Sequence, residues 1–138
     1  MSVNTKPIGV AYEDQNIVGA DKIYSANEFG YTADAQGSVT QLTSKATAVT
    51  LNKSAGRITM DAASLATATN ATFTLNNSLI SANDTVILTI SGGQATPGSY
   101  NCFANALGAG TVSITLRNIS GGPLAEAIVI NFAIIHCL

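Results

Sequence analysis

The chain has 138 residues, with 6 Lys+Arg, 8 Asp+Glu and a formal net charge of −2. That length suits one domain, and an apolar content of 46% excludes a fully disordered chain. Charged residues are only 10%, against roughly 25% in an average soluble protein, and the slight acidity supplies no basic field for nucleic acid.

Ser, Thr and Asn fill the gap with 12, 16 and 12 residues, so the surface is expected to be neutral and polar. The start, Met1-Ser-Val-Asn-Thr-Lys-Pro-Ile-Gly-Val10, has no basic stretch leading into an apolar run and is not expected to be a signal peptide. No apolar stretch approaches the ~18 residues of a membrane-spanning helix, so no membrane partner is expected. Asn52, Asn70, Asn76, Asn83 and Asn118 each open an Asn-X-Ser/Thr triplet. In a chain so rich in these residues, such triplets arise by chance.

Residues 1–38 differ from the rest. They hold five of the eight acids (Glu13, Asp14, Asp21, Glu28, Asp34) but only Lys6 and Lys22. Their apolar residues, Ile8, Val10, Tyr12, Ile17, Val18, Ile23, Tyr24, Phe29 and Tyr31, follow neither a strand nor a helix period. Pro7, Gly9, Gly19, Gly30 and Gly37 punctuate the segment. It reads as an extended N-terminal arm with too much apolar surface to stay in water. The surface it lies on is its own domain, a sister subunit or another protein. Fully extended, the arm reaches up to about 125 Å at ~3.3 Å per residue.

Residues 39–138 read as a knob of short strands. Val39–Thr43 and Ala46–Asn52 are Thr-rich strands, and Arg57–Met60 is a third. Asp61–Ala66 fits one helical turn capped by Asp61. In Ala71–Asn77, Phe73 and Leu75 alternate with Thr72, Thr74 and Asn76. In Thr85–Ser91, Val86, Leu88 and Ile90 share a face. Gly92-Gly93 and Pro97-Gly98 mark the following loop. Ser99–Asn105 and Thr111–Arg117 alternate again. After Gly121-Gly122-Pro123 comes the last strand, Ala125–His136. About eight short strands with Gly/Pro turns predict an all-β fold, a β-sandwich or jelly-roll-like knob.

The last strand is apolar on both faces. Ile128, Ile130, Phe132 and Ile134 form one, and Ala127, Val129, Ala133 and Ile135 form the other, with Asn131 among them. A two-layer sandwich buries one face of each strand, so the second face needs a cover. Either a loop or the N-terminal segment lies on it, or it is a subunit interface, whose core would be poor in charge. Arg117 and Glu126 stand in or near strands otherwise free of charge. Each is therefore expected to have a defined partner, and a mutual pair across the glycine turn is one arrangement. Arg117→Ala is expected to weaken an assembly more than Lys45→Ala.

Residues suited to catalysis are scarce. His136 is the only histidine, so no metal centre can rest on a histidine cluster. It has no carboxylate near it in sequence. Cys137 follows it, but adjacent strand residues face opposite ways. Cys102 and Cys137 are expected to be buried, reduced and hydrophobic in role. Gly108-Ala-Gly110 precedes a strand rather than a helix, which suits a hairpin and not a dinucleotide loop. Glu13-Asp14 suits a solvated acidic pair or a basic partner better than a cation site. No enzyme activity, cofactor or metal is expected.

Three groups of motifs carry a resemblance. They are Pro7-Ile-Gly-Val-Ala-Tyr-Glu-Asp14 with Phe29-Gly-Tyr-Thr32 and Val39-Thr-Gln41; Thr50-Leu-Asn-Lys53 with Ile58-Thr-Met60; and Arg117-Asn-Ile-Ser120 with Glu126 and Asn131-Phe-Ala-Ile-Ile135. Along nearly the whole chain these resemble small virion structural proteins of tailed bacteriophages, including cyanophages, of the capsid decoration (cement) or head-fibre type. The resemblance implies a homotrimeric knob on the outer capsid surface, made in the host cytoplasm. It implies an arm that attaches to the major capsid protein and bridges neighbouring subunits. On that reading the attachment residues are Pro7, Ile8, Val10, Tyr12, Glu13, Asp14, Ile17, Val18, Ile23, Tyr24, Phe29 and Tyr31. The oligomer interface is Arg117, Glu126, Val129, Asn131, Ala133 and Ile135. The rival reading is a tail-fibre, tailspike or head-fibre tip that binds host glycans.

Overall fold

A computed structural model describes residues 19–137. The chain divides into two units, Met1–Gly30 and Tyr31–Leu138. In the first, residues 19–30 form no helix or strand, and the Ser25 hydroxyl donates to the Glu28 carbonyl at 2.6 Å. The second unit is all-β apart from one 3-10 turn at Ala33–Ala35.

Its strands are β1 (Gln36–Thr40), β2 (Val49–Thr50), β3 (Ala55–Thr59), β4 (Asn70–Asn76), β5 (Thr85–Gly92), β6 (Tyr100–Gly108), β7 (Thr111–Asn118) and β8 (Val129–Ile135). They form two four-stranded sheets, ordered β1-β3-β8-β5 and β2-β4-β7-β6. β1 runs parallel to β3 and β2 parallel to β4, while the other pairs are antiparallel. The sheets are therefore mixed, unlike the antiparallel jelly roll.

The fold is a β-sandwich because the strand alternation gives each sheet one apolar face. The first sheet turns Ile58, Ile130, Phe132 and Ile134 inward, and the second turns Phe73, Leu75, Ile114 and Leu116; all eight are buried. Burying such side chains contributes about 1.5–3 kcal/mol each before conformational entropy is subtracted.

Local chemistry moved some boundaries. β1 starts at Gln36, ahead of the expected Val39, and ends at Thr40. The chain leaves the sheet at Thr43, whose φ is 85°. The expected strand Ala46–Asn52 shrinks to Val49–Thr50. The buried Gln41 amide explains this: it donates to the carbonyls of Lys45 (3.1 Å) and Thr47 (2.8 Å), and it accepts from the Asp61 N–H (3.2 Å). The segment is folded around that side chain instead of a neighbouring strand. The expected helical turn at Asp61–Ala66 is absent. Asp61 does cap the Ala63 N–H at 2.8 Å, but Leu65 is drawn into a bridge with Leu124.

Candidate functional site

The outer face of the first sheet is the surface the sequence singled out. Val129, Asn131, Ala133 and Ile135 project from β8 on the side opposite its buried residues. Register places Ala55, Arg57 and Thr59 of β3 beside Ala133, Asn131 and Val129. On the other side, Thr85, Ile87 and Thr89 of β5 oppose Ile135, Ala133 and Asn131. The face is part apolar, with Ile87 at 48% and Ile135 at 51% exposure. Asn131 organises its centre: its Oδ1 accepts from Arg57 Nε (3.3 Å) and from the Ser91 hydroxyl (3.0 Å). Gln36, Ser38, Ala55, Arg57 and Asn131 edge a shallow depression of about 510 Å³.

Arg117 and Glu126 do not join this face, nor do they pair with each other. Arg117 lies on the outer face of the second sheet, where it donates to Asn70 Oδ1 at 3.1 Å. The Glu126 carboxylate accepts from the Ala95 N–H at 2.7 Å. The expected mutual pair fails because the chain crosses from one sheet to the other between them. Each charge is met locally instead. The second Glu126 oxygen and the Tyr100 hydroxyl are both buried without a hydrogen bond. Burial and the Glu126 carboxylate push the Tyr100 hydroxyl up to about 12.

Lys45, ranked below Arg117 on sequence, is buried, at 4% exposure. Its ammonium donates to the backbone carbonyls of Asp61 and Glu126. Burial lowers its pKa, while the nearby Asp61 and Glu126 charges raise it.

The arm residues divide three ways. Pro7, Ile8, Val10, Tyr12, Glu13, Asp14, Ile17 and Val18 lie outside the described residues. Ile23, Tyr24 and Phe29 are bare, at 63%, 84% and 94% exposure. Tyr31 belongs to the sandwich unit and donates its hydroxyl to the Ile134 carbonyl.

The outer face of the second sheet carries a hydroxyl and amide ladder. Thr72 and Thr115 share a hydrogen bond at 2.7 Å, and Thr115 donates to Asn105 Oδ1 at 3.0 Å. Phe103 pairs with Thr115 in register and is 40% exposed.

His136 has a carboxylate after all. Its Nδ1 lies 2.9 Å from Asp84 Oδ2, a contact between residues 52 apart in sequence. Asp84 also accepts from the N–H groups of Ser81 (2.8 Å) and Cys137 (3.1 Å). The Ser81 N–H leads in holding its carboxyl down at about 2. Cys137 is exposed rather than buried, and Cys102 is half-buried, its thiol pushed up to about 11 by burial. Among the described residues, no three His, Cys, Asp or Glu side chains group as metal ligands.

Comparison of the chain with protein families, with curated proteins and with solved structures finds no match.

Proposed function

We propose that the chain is a virion structural protein, a capsid decoration protein of the tailed-phage type, and not an enzyme. One observation carries the reading. Ile23, Tyr24 and Phe29 are bare in a segment without helix or strand, and apolar side chains kept in water need a partner surface. On this reading the arm, expected over residues 1–38 and here taken as 1–30 because Tyr31 and β1 belong to the sandwich unit, lies on the major capsid protein, and the sandwich projects as a neutral knob. The knob associates with copies of itself, for which the resemblance implies a homotrimer. Several weak arm contacts then add through multivalency. The chain would bridge neighbouring capsid subunits on the outer surface of the particle.

Imaging shells mixed with the full chain, and with a chain lacking residues 2–28, tests this. The full chain is expected to decorate the shells and the truncated chain to remain in solution. Full decoration by the truncated chain would remove the arm from the reading.

A second reading, a fibre or spike tip binding host glycans, draws support from Phe103. An exposed aromatic beside Thr115, Thr72 and Asn105 offers a stacking platform with neutral hydrogen-bonding groups around it. Glycan-array binding that is lost in Phe103→Ala would favour it.

A further inference from the structure

The two sides of the sandwich are unlike. Among the described residues, one is bounded by β1 and β2, with five and two residues; the other by β5 and β6, with eight and nine. Neither long edge strand contains a charge or a proline. A sheet edge presents unpaired N–H and C=O groups, and proteins ordinarily blunt it with charge, proline, shortness or a bulge. β5 has only an irregularity between Ile90 and Gly92, which leaves Thr85–Ile90 regular.

The sequence of that edge is self-complementary. Thr85-Val86-Ile87-Leu88-Thr89 reads alike in both directions by side-chain type. Antiparallel pairing with a second β5, centred on Ile87, sets Thr85 against Thr89, Val86 against Leu88 and Ile87 against its own counterpart. Opposed residues share a face, so no side chain changes side. Thr–Thr and aliphatic pairs are favourable cross-strand neighbours. On the outer face, half-exposed Ile87 and Ile135 are diagonal neighbours across β5 and β8. Pairing at Ile87 therefore joins the two apolar corners into one strip. β6 lies along the same margin, and its Asn101-Cys102-Phe103-Ala104-Asn105 has the same symmetry about Phe103.

We propose that two copies of this chain join edge to edge through β5, antiparallel about Ile87, to form a continuous eight-stranded sheet. The palindrome selects a second copy as the occupant, because a foreign strand would not require one. The contact is isologous and uses up the edge it covers. It predicts dimers, or larger closed assemblies with an even number of copies, in place of the homotrimer that the resemblance implies. It does not rest on the capsid reading, since shell binding can fail with the pairing intact.

Mass measurement of the full chain in solution tests it. An even number of copies is expected, and Ile87→Lys, which opposes two like charges at the two-fold, is expected to halve the mass while the far-UV circular dichroism stays that of a β protein. A register test accompanies it in a Cys137→Ser background. Directly opposed side chains have Cβ atoms about 4.5–5.5 Å apart, close to disulfide range. Ile87→Cys is therefore expected to give a disulfide-linked pair on mild oxidation. Thr85→Cys is expected to give none, since the two copies of that position lie four residues out of register. A monomeric or three-copy wild type overturns the proposal. So does an Ile87→Lys variant of unchanged mass, or equal cross-linking at both cysteine positions.

Discussion

Lys45 is the residue whose role the sequence concealed most. Nothing in Thr43-Ser44-Lys45-Ala46 separates it from a solvated cation, yet its ammonium ties the Gln41–Thr47 loop to the backbone at Asp61 and Glu126. Removing it leaves two carbonyls without their donor, and buried unsatisfied groups cost about 1–3 kcal/mol each. Lys45→Ala is expected to lower stability by roughly 2–4 kcal/mol, whereas Arg117→Ala, an exposed contact to Asn70, costs about 0–1 kcal/mol. Denaturant titration of both variants checks the order, which reverses the ranking that charge placement alone suggests. Asp84 gives a second test. Its carboxyl is held at about 2 by the Ser81 N–H, with the Cys137 N–H and His136 adding to it, against about 3.9 in an unfolded chain. A depressed folded value means that its stabilisation is complete above about pH 4 and is lost as pH falls towards about 2. Asp84→Asn is expected to flatten the fall of stability across that window. Thermal melts at several pH values read it out, and an unchanged acid limb would count against the assignment.

At the scale of the element, the loop between β5 and β6 depends on one residue. Gly93 has a φ of +85°, and a Cβ there would lie 2.0 Å from the Ala127 carbonyl oxygen. The obstacle is backbone, which has no rotamer by which to yield. Gly93→Ala combines that clash with a left-handed conformation costing about 1–2 kcal/mol. A loss of stability well above 2 kcal/mol is expected on chemical denaturation. The long strands were legible because Phe73/Leu75, Val86/Leu88/Ile90 and Val112/Ile114/Leu116 each follow a period of two, and the structure buries or half-buries all of them. The failures occurred where a side chain competes with the backbone for hydrogen bonds. Gln41 consumed the donors and acceptors that the second expected strand needed. Asn118, which opens one of the Asn-X-Ser triplets set aside as chance, is fully buried. It donates to the Leu65 and Gly122 carbonyls, both at 2.9 Å, and accepts from the Ser120 N–H at 2.9 Å. Asn118 to Leu65 and Gln41 to Asp61 join residues far apart in the chain, the other contacts fold short loops around one side chain, and no strand period reveals either kind. The site was legible in the same measure. The β8 face could be read from alternation, whereas the partners of Arg117, Glu126 and His136 (Asn70, the Ala95 N–H and Asp84) lie 31 to 52 residues away in sequence.

For the whole molecule, the charge deficit acquires a location. Among the described residues the one side-chain contact between a basic residue and a carboxylate is His136–Asp84, and the core is assembled from residues between Val39 and Ile134. Cohesion in the sandwich unit thus rests chiefly on apolar burial and on hydrogen bonds, among which those of Lys45, Asp84 and Glu126 to the backbone carry charge, and salt screens it little. All the buried core residues belong to the unit Tyr31–Leu138. That unit also contains Tyr31 itself, whose hydroxyl meets the Ile134 carbonyl, so a cut after Gly30 leaves the contact intact. A fragment spanning Tyr31–Leu138 is therefore expected to fold alone and to unfold in one cooperative step. Its Tm should lie within about 5 °C of that of the full chain, since a change of 1 kcal/mol in a domain of this size shifts Tm by roughly 2–8 °C. Scanning calorimetry of both chains at equal concentration makes the comparison. The result also decides what covers the outer face of β8. If residues 1–30 lie over Val129, Ala133 and Ile135, their removal bares apolar surface and lowers Tm by well over 10 °C, at about 25 cal/mol per Å² uncovered. An unchanged Tm leaves that face for contact with another molecule and keeps the exposed Ile23, Tyr24 and Phe29 available for a surface outside the chain.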